Sequence, residues 1–363
     1  MTALQSNLLE NHTPTGREEA WRFTPLKRLG GMHDGTAAID SRSSLFVKGE
    51  LPQGVSFTSG EIIALTESDD AIINRIRAHT SIGTTLQIAP NTELVEPIFL
   101  GRSAFGIDSA EFSRVQFRVG NHAKAVVVLE NTGDTHLAED LEILVEPGAH
   151  LTLIALQEWG SKTIHAARHH AVVDRDATFK SVVVTIGGDV VRLLPTVDFI
   201  APGASCDLSG VYFASAGQYF EHRMFVDHKV AHAKSRVNYK GALAGDKAHT
   251  VWIGDVFIRA AAEGTDTYEL NRNLLLTDGA RADSVPNLEI ETGEIVGAGH
   301  ASTTGRFDDE QLFYLMSRGI DEADAKRLVV RGFFNEIISE IGIDDVEVRL
   351  MARIDEELAK AGR

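Results

Sequence analysis

Cysteine is almost absent from this chain: Cys206 is the single one in 363 residues. An intrachain disulfide is therefore excluded, which fits a reducing compartment, and one thiol cannot build a multi-cysteine metal site. Positive charge is in deficit, with 35 Lys and Arg against 52 Asp and Glu and a formal net charge of −17. Such a balance repels phosphate backbones and argues against nucleic acid as a partner; what remains is a solvated acidic surface or steering of basic partners. Long apolar runs are missing, and Met1–Asn11 has neither the basic nor the apolar segment of a leader. Neither a signal peptide nor a membrane span is expected, and the chain reads as cytoplasmic.

The usual catalytic signatures are missing too. No Gly-Lys pair occurs, so no Walker A loop can cradle a phosphate. There is no His-Glu-x-x-His, no Cys-x-x-Cys and no Gly-x-Ser-x-Gly. Gly297-Ala298-Gly299 lacks the third glycine of a dinucleotide fingerprint and opens no βαβ unit. The chain is not expected to be an enzyme.

What is present is an ordinary globular composition, 43% hydrophobic and 24% charged, in three stretches of different texture. Residues 1–80 mix short helical patterns with loops. Thr15 with Glu18 suits a capping box for a helix through Trp21 to Phe23, which Pro25 ends. A second helix is expected from Asp69 through Ile72, Ile73 and Ile76.

Residues 81–302 are rich in short β runs such as Ala125–Leu129 and Ser181–Val184. A turn ending in alanine recurs as Asn121-His122-Ala123, Pro147-Gly148-Ala149, Arg175-Asp176-Ala177, Pro202-Gly203-Ala204 and Ala231-His232-Ala233. The alanines are 26, 28, 27 and 29 residues apart, and each opens an apolar run. A small corner residue followed by a strand at this period is the pattern of a β-solenoid, whose coils bury their inner faces only by stacking. A β-sandwich is the competing architecture. The repeat blurs after residue 240.

Residues 303–363 turn helical. Asp308 with Gln311 suits a capping box, Gly319 a left-handed stop, and Asp321 the cap of a longer helix carrying Ala325, Leu328, Val329, Phe333, Ile337 and Ile341. Gly342 ends that helix, and Asp344 with Glu347 opens a last one through Leu350, Met351, Ile354 and Leu358. Phe333 and Phe334 point about 100° apart on a helix, so one faces a core and the other is free for a partner.

Histidine is the residue type that draws attention, with 14 copies. His169 and His170 adjoin on a strand and face opposite ways, so one packed and one solvated ring is expected. His222, His228, His232 and His249 match no compact metal spacing. His300 sits in Gly297-Ala298-Gly299-His300-Ala301-Ser302, at the junction between β and helical textures, where glycines allow close approach.

The junction carries a resemblance. Asn287-Leu288-Glu289-Ile290, then His300-Ala301-Ser302-Thr303-Thr304-Gly305, then residues 309–320 from Asp309-Glu310-Gln311 to Arg318-Gly319-Ile320, closely resemble the C-terminal signature of the SufB/SufD family. Pro14-Thr15-Gly16-Arg17-Glu18-Glu19-Ala20-Trp21-Arg22-Phe23-Thr24 looks like the family's N-terminal motif in its SufD form.

The resemblance implies a right-handed parallel β-helix with helical N- and C-terminal regions, acting non-catalytically in iron–sulfur cluster assembly with a SufB scaffold and the ABC-type ATPase SufC. The cluster would be transient and shared with the partner, since one cysteine cannot supply its four thiolates. His300 matches the histidine contributed to the interfacial site. The helical tail, with Phe313, Tyr314, Arg318, Phe333 and Phe334, is the expected ATPase dock. The region from Gly241 to Ile295 is the expected contact with SufB, and a homodimer is expected of the isolated chain. Ala282 stands where SufB carries a cysteine and Ala301 where it carries a glutamate, so a SufB-like paralogue is the weaker assignment. The alternative outside this family is a polysaccharide lyase on a β-helix, which needs acids and bases aligned on an exposed sheet.

Overall fold

A computed structural model of the chain describes residues 12–40, 43–306 and 309–361. The chain opens with β1 (Ile39–Asp40), β2 (Leu45–Lys48), β3 (Val55–Glu61), α1 (Ala71–His79) and β4 (Ile82–Ile88). It then alternates between two sheets. The first takes β6 (Gly106–Val119), β8 (Thr135–Val145), β10 (Ile164–Val173), β12 (Val190–Phe199), β14 (Tyr219–His228), β16 (His249–Ile258) and β18 (Arg281–Ile290). The second takes β5 (Ile98–Arg102), β7 (Lys124–Gly133), β9 (His150–Trp159), β11 (Thr178–Ile186), β13 (Ser205–Ala214), β15 (Lys234–Leu243), β17 (Asp266–Leu275) and β19 (Gly297–Arg306).

From β4 and β5 onward each strand pairs in parallel with the strand two places on, so the chain coils as a solenoid rather than folding as an antiparallel sandwich. Only the starting pairs β2–β5 and β3–β4 are antiparallel among the described strands.

The recurring alanine turn is the corner of the coil. Its middle residue is left-handed every time, with φ of 57° at His122, 67° at Gly148, 53° at Asp176, 81° at Gly203 and 60° at His232. That conformation is open to glycine and, among other residues, most often to Asn, Asp and His. The following alanine is fully buried in all five corners. Corners also bond to each other: His122 N–H donates to Pro147 O (3.0 Å), Gly148 N–H to Arg175 O (2.9 Å) and Asp176 N–H to Pro202 O (3.2 Å).

The repeat blurs late because the coil lengthens. The step between strand starts is 29 residues from Ser205 to Lys234, then 32 and 31 to Asp266 and Gly297. The corner there is Gly264-Thr265, still left-handed at φ 69° but without the alanine.

Leu141, Ile143, Val183, Leu193, Val197 and Phe199 form one apolar cluster in the lumen, interrupted in the middle coils by buried polar side chains that include Glu139, Gln157, His165 and His169. Large rings are fitted against glycine. A Cβ on Gly210 would lie 2.2 Å from the Tyr239 ring, and one on Gly241 would lie 2.0 Å from the Tyr212 ring.

The helical expectations hold in part. α1 forms with Asp70 as cap, its carboxylate accepting from Ile72 N–H (2.9 Å) and Ile73 N–H (3.3 Å). The expected helix through Trp21 does not form; only a single 3-10 turn, Glu19–Trp21, is present. The Thr15–Glu18 bond of the capping box is made at 3.0 Å, yet tertiary anchors take the chain elsewhere. Trp21 lies buried under the Arg192 guanidinium (3.9 Å) and Thr24 Oγ1 donates to Glu221 (2.7 Å).

The tail comprises α2 (Asp309–Ser317), α3 (Glu322–Ile338) and α4 (Asp344–Ala361). Asp308 lies outside the described residues. Gly319 (φ 86°) and Gly342 (φ 68°) take the left-handed positions expected, and Asp321 caps α3 by accepting from Asp324 N–H at 2.9 Å. α3 and α4 share a core with the outer face of the second sheet: Val330, Phe334, Ile337, Leu350 and Ile354 pack on Ile154, Val182, Val184, Val211 and Phe213. That is why these strands are apolar on both faces.

Replacing Gly241 with alanine should force a methyl into the Tyr212 ring and cost about 1–3 kcal/mol of stability, as overpacking does. Gly60→Ala, where the new methyl meets nothing within 4 Å, is the control. Urea unfolding of both variants checks this, and equal midpoints would contradict the fitted lumen.

Candidate functional site

The coil ends at β18 and β19, each of which has a strand partner on one side only among the described residues. A strand edge presents unpaired N–H and C=O groups, which makes this end of the solenoid a template for another chain. β19 places His300 here, in register with Glu269 of β17 and on the inward face. The imidazole is 44% exposed at the mouth of the lumen, with Nδ1 3.6 Å from Glu269 Oε1.

Behind His300 the lumen is polar. Glu269, Asn271 and Asn273 alternate along the inward face of β17 and are all buried. Tyr212 OH donates to Asn273 Oδ1 (2.6 Å), Asn271 donates to Tyr212 OH (3.0 Å), and Ser284 Oγ donates to Asn271 Oδ1 (2.8 Å). Glu269 stands outside this network: neither carboxylate oxygen has a hydrogen-bond partner. Burial, with the charge of Asp255 adding to it, pushes its carboxyl up to about 8. An exposed imidazole backed by a carboxyl at a sheet edge can offer one nitrogen donor to a metal held jointly with another chain.

Other histidines go elsewhere. His169 and His170 do face opposite ways, but both are buried, which corrects the expectation of one solvated ring. His169 lies in the lumen 3.5 Å from Glu139. His170 points outward onto a face that the segment before α1 covers; there Arg168 donates to Glu67 O at 3.1 Å and His170 Nδ1 meets Thr196 Oγ1 at 2.6 Å. Burial, reinforced by nearby Arg102, holds His169 down at about 4, and burial with nearby Arg168 holds His170 at about 3, so both rings are neutral.

His222 bonds to Thr185 (3.0 Å), His228 to Ser235 (2.9 Å) and His249 to Asp283 (2.7 Å), while His232 is a corner residue. They do not converge. Among the described residues no three His, Cys, Asp or Glu side chains are grouped as a metal site. Cys206 is buried in the lumen core, and burial pushes its thiol well above the usual range.

In the tail, Phe313 and Tyr314 of α2 are 73% and 56% exposed, and the Arg318 guanidinium lies 5.1 Å from the Tyr314 ring. Phe333 is half-buried with Lys240 Nζ 5.1 Å from its ring centre. Phe334 is fully buried against the second sheet, so it is removed from the expected partner surface: its side chain holds the tail to the solenoid.

A profile for the family described as "SUF system FeS cluster assembly, SufBD core domain" matches residues 102–333. The chain belongs to the SufBD family. An iron-sulfur cluster assembly SufBD family protein of Mycobacterium tuberculosis is 48% identical over 354 residues, covering 95% of this chain and 89% of that protein. A SufBD family protein of Mycobacterium leprae is 45% identical over 95% of this chain and 90% of its own length. Iron-sulfur cluster assembly protein SufD of Escherichia coli is 25% identical over 98% of this chain and 92% of that protein.

The segments that carry the resemblance fall on the last coil and the helix that follows it in the chain. Asn287–Ile290 lies on β18, His300–Gly305 on β19, and α2 follows two residues after the strand ends. Ala282 packs against the lumen core. Glu269 is the site residue that sequence reading missed. The signal available was polar residues at alternate positions, Glu269, Asn271 and Asn273, where the preceding strand of the sheet carries Val237, Tyr239 and Gly241.

Phe334→Ala should lower the unfolding free energy by about 3–5 kcal/mol, the range for truncating a buried aromatic, whereas Phe313→Ala should change it little. Denaturant titration distinguishes them, and comparable losses would show that α2 is packed rather than exposed.

Proposed function

We propose that this chain is the SufD-type subunit of a scaffold formed with SufB and the ATPase SufC in the cytoplasm, and that it acts as a binding surface rather than as an enzyme. The observation that carries the reading is the exposed His300 imidazole at a solenoid end whose two strand edges are open. The likeness to SufD, together with Ala282 and Ala301 where SufB carries Cys and Glu, supports the SufD assignment over a SufB-like one. The right-handed coil of the family and its helical N-terminal region belong to the same reading.

The nascent iron–sulfur cluster is cargo, transient and shared. His300 offers an imidazole, and the thiolates come from SufB, because the Cys206 thiol is buried and stays protonated. SufB pairs with the region from Gly241 to Ile295, which ends on the β18 edge, and we extend that contact to the adjoining β19 edge; in the isolated chain a second copy takes the same edges as a homodimer. The exposed aromatic pair of α2, with Arg318 beside Tyr314 and with the half-buried Phe333 of α3, takes SufC. Exposed aromatics on one helix suit insertion into a partner groove.

Two measurements test this. Phe313→Asp with Tyr314→Asp should abolish co-purification of SufC, each aromatic anchor contributing about 2 kcal/mol or more, while the fold stays intact. Undiminished SufC binding would refute the dock. His300→Ala should leave the complex assembled yet fail to complement a SufD deletion under iron limitation, and His300→Cys should restore part of the activity. Full complementation by the alanine variant would overturn the site.

A further inference from the structure

We infer that Glu269 is the positioning residue for His300: its buried carboxyl takes the Nδ1 side of the imidazole and leaves Nε2 facing the mouth of the lumen. The inference rests on the reading of His300 as a cargo-site residue.

Three independent features point the same way. First, Glu269 is 1% exposed with both oxygens unpartnered, an arrangement that is unfavourable unless a donor is supplied. Among the described residues, the charged-type nitrogen within ion-pair reach is His300 Nδ1, at 3.6 Å. Second, space is kept for the carboxyl from the opposite sheet. Gly254 of β16 faces it, and a Cβ there would lie 2.2 Å from Glu269 Oε2. Third, the register of β17 and β19 puts the two residues directly opposite on the same inward face, one strand spacing apart.

The chemistry follows from the two ring nitrogens. An exposed histidine on an edge strand turns freely and presents either nitrogen. A carboxyl on one side fixes the ring plane, and histidines that hold metals commonly donate their other N–H to such a group. A small rotation of either side chain closes 3.6 Å to a hydrogen bond, with Nδ1–H donating to Oε1. A Glu269 that served stability would lower the melting temperature on removal, whereas an unpartnered buried carboxyl weakens a fold and its removal does not.

The test uses the full chain labelled with ¹⁵N-histidine, the His300 signal being assigned by its loss in His300→Ala. Recorded at mildly alkaline pH, His300 should be mainly the Nδ1–H tautomer, with the Glu269 carboxyl accepting from it. Glu269→Leu should shift it severalfold toward Nε2–H, and Glu269→Gln, which keeps an amide oxygen, should fall between. In cells Glu269→Leu should lower cluster assembly by about 10–100-fold, the usual range for losing such a partner, with SufB still bound and the melting temperature not lowered. An unchanged tautomer in Glu269→Leu overturns the positioning role even where His300→Ala remains defective. Full function of His300→Ala would instead overturn the reading on which the inference rests. Should the leucine variant fail to fold, Glu269→Gln decides: a shift away from Nδ1–H supports the role and no shift overturns it.

Discussion

Everything else in this molecule depends on the left-handed corner. A coil of parallel strands closes only if the chain reverses within a few residues and re-enters directly above its previous turn. One residue at positive φ does this, and the buried alanine after it lets the next corner sit close. For His122, Asp176 and His232 the conformation costs on the order of 1–2 kcal/mol each relative to the right-handed region. Stacking offsets that cost, because the N–H of the strained residue donates to a carbonyl of the corner above. The strain is thus tolerable only inside the array, which is the cooperative logic of repeat proteins: each coil is stable by virtue of its neighbours.

A linear array has faces and ends, and the faces are largely used. The outer face of the second sheet is apolar and covered by α3 and α4. The first sheet is partly covered by α1 and the N-terminal segment, where Trp21, Ile72, Ile73 and Ile76 pack on Phe112, Ala138 and Val190. Among the described residues no strand pairs with the outer edge of the last coil. The lumen holds buried polar side chains at two levels, Glu139 with His169 in the middle coils and Glu269, Asn271 and Asn273 near the last coil.

The corner was legible in the sequence because it is local: three residues, one of them always alanine and the middle one Gly, Asp or His. Caps such as Asp321 and stops such as Gly319 were legible for the same reason. What could not be read were features set by residues a coil or more apart. The Thr15–Glu18 box is present as a local bond but builds no helix, because Arg192 and Glu221, far along the chain, hold Trp21 and Thr24 against the first sheet. His170 looked solvated because strand alternation says nothing about what lies on top. Phe334 and Phe333 were separable in principle by helical angle, yet which of them is buried depends on the sheet beneath. Glu269 is legible only once Asn271 and Asn273 are known to share its inward face.

The single cysteine also has a structural meaning. Cys206 packs in the apolar lumen as a small hydrophobe, and a thiol buried there has neither the access nor the ionisation to hold a metal. The donor this chain can offer outward is instead an imidazole on an edge strand. A surface that reaches His300 must also lie against the open edges of β18 and β19, whose backbone groups are satisfied by the same approach. On the reading developed above, completing the site and forming the interface are therefore one event. On that same reading the thiolates arrive with the partner, and a cluster is held only while the two chains stay together.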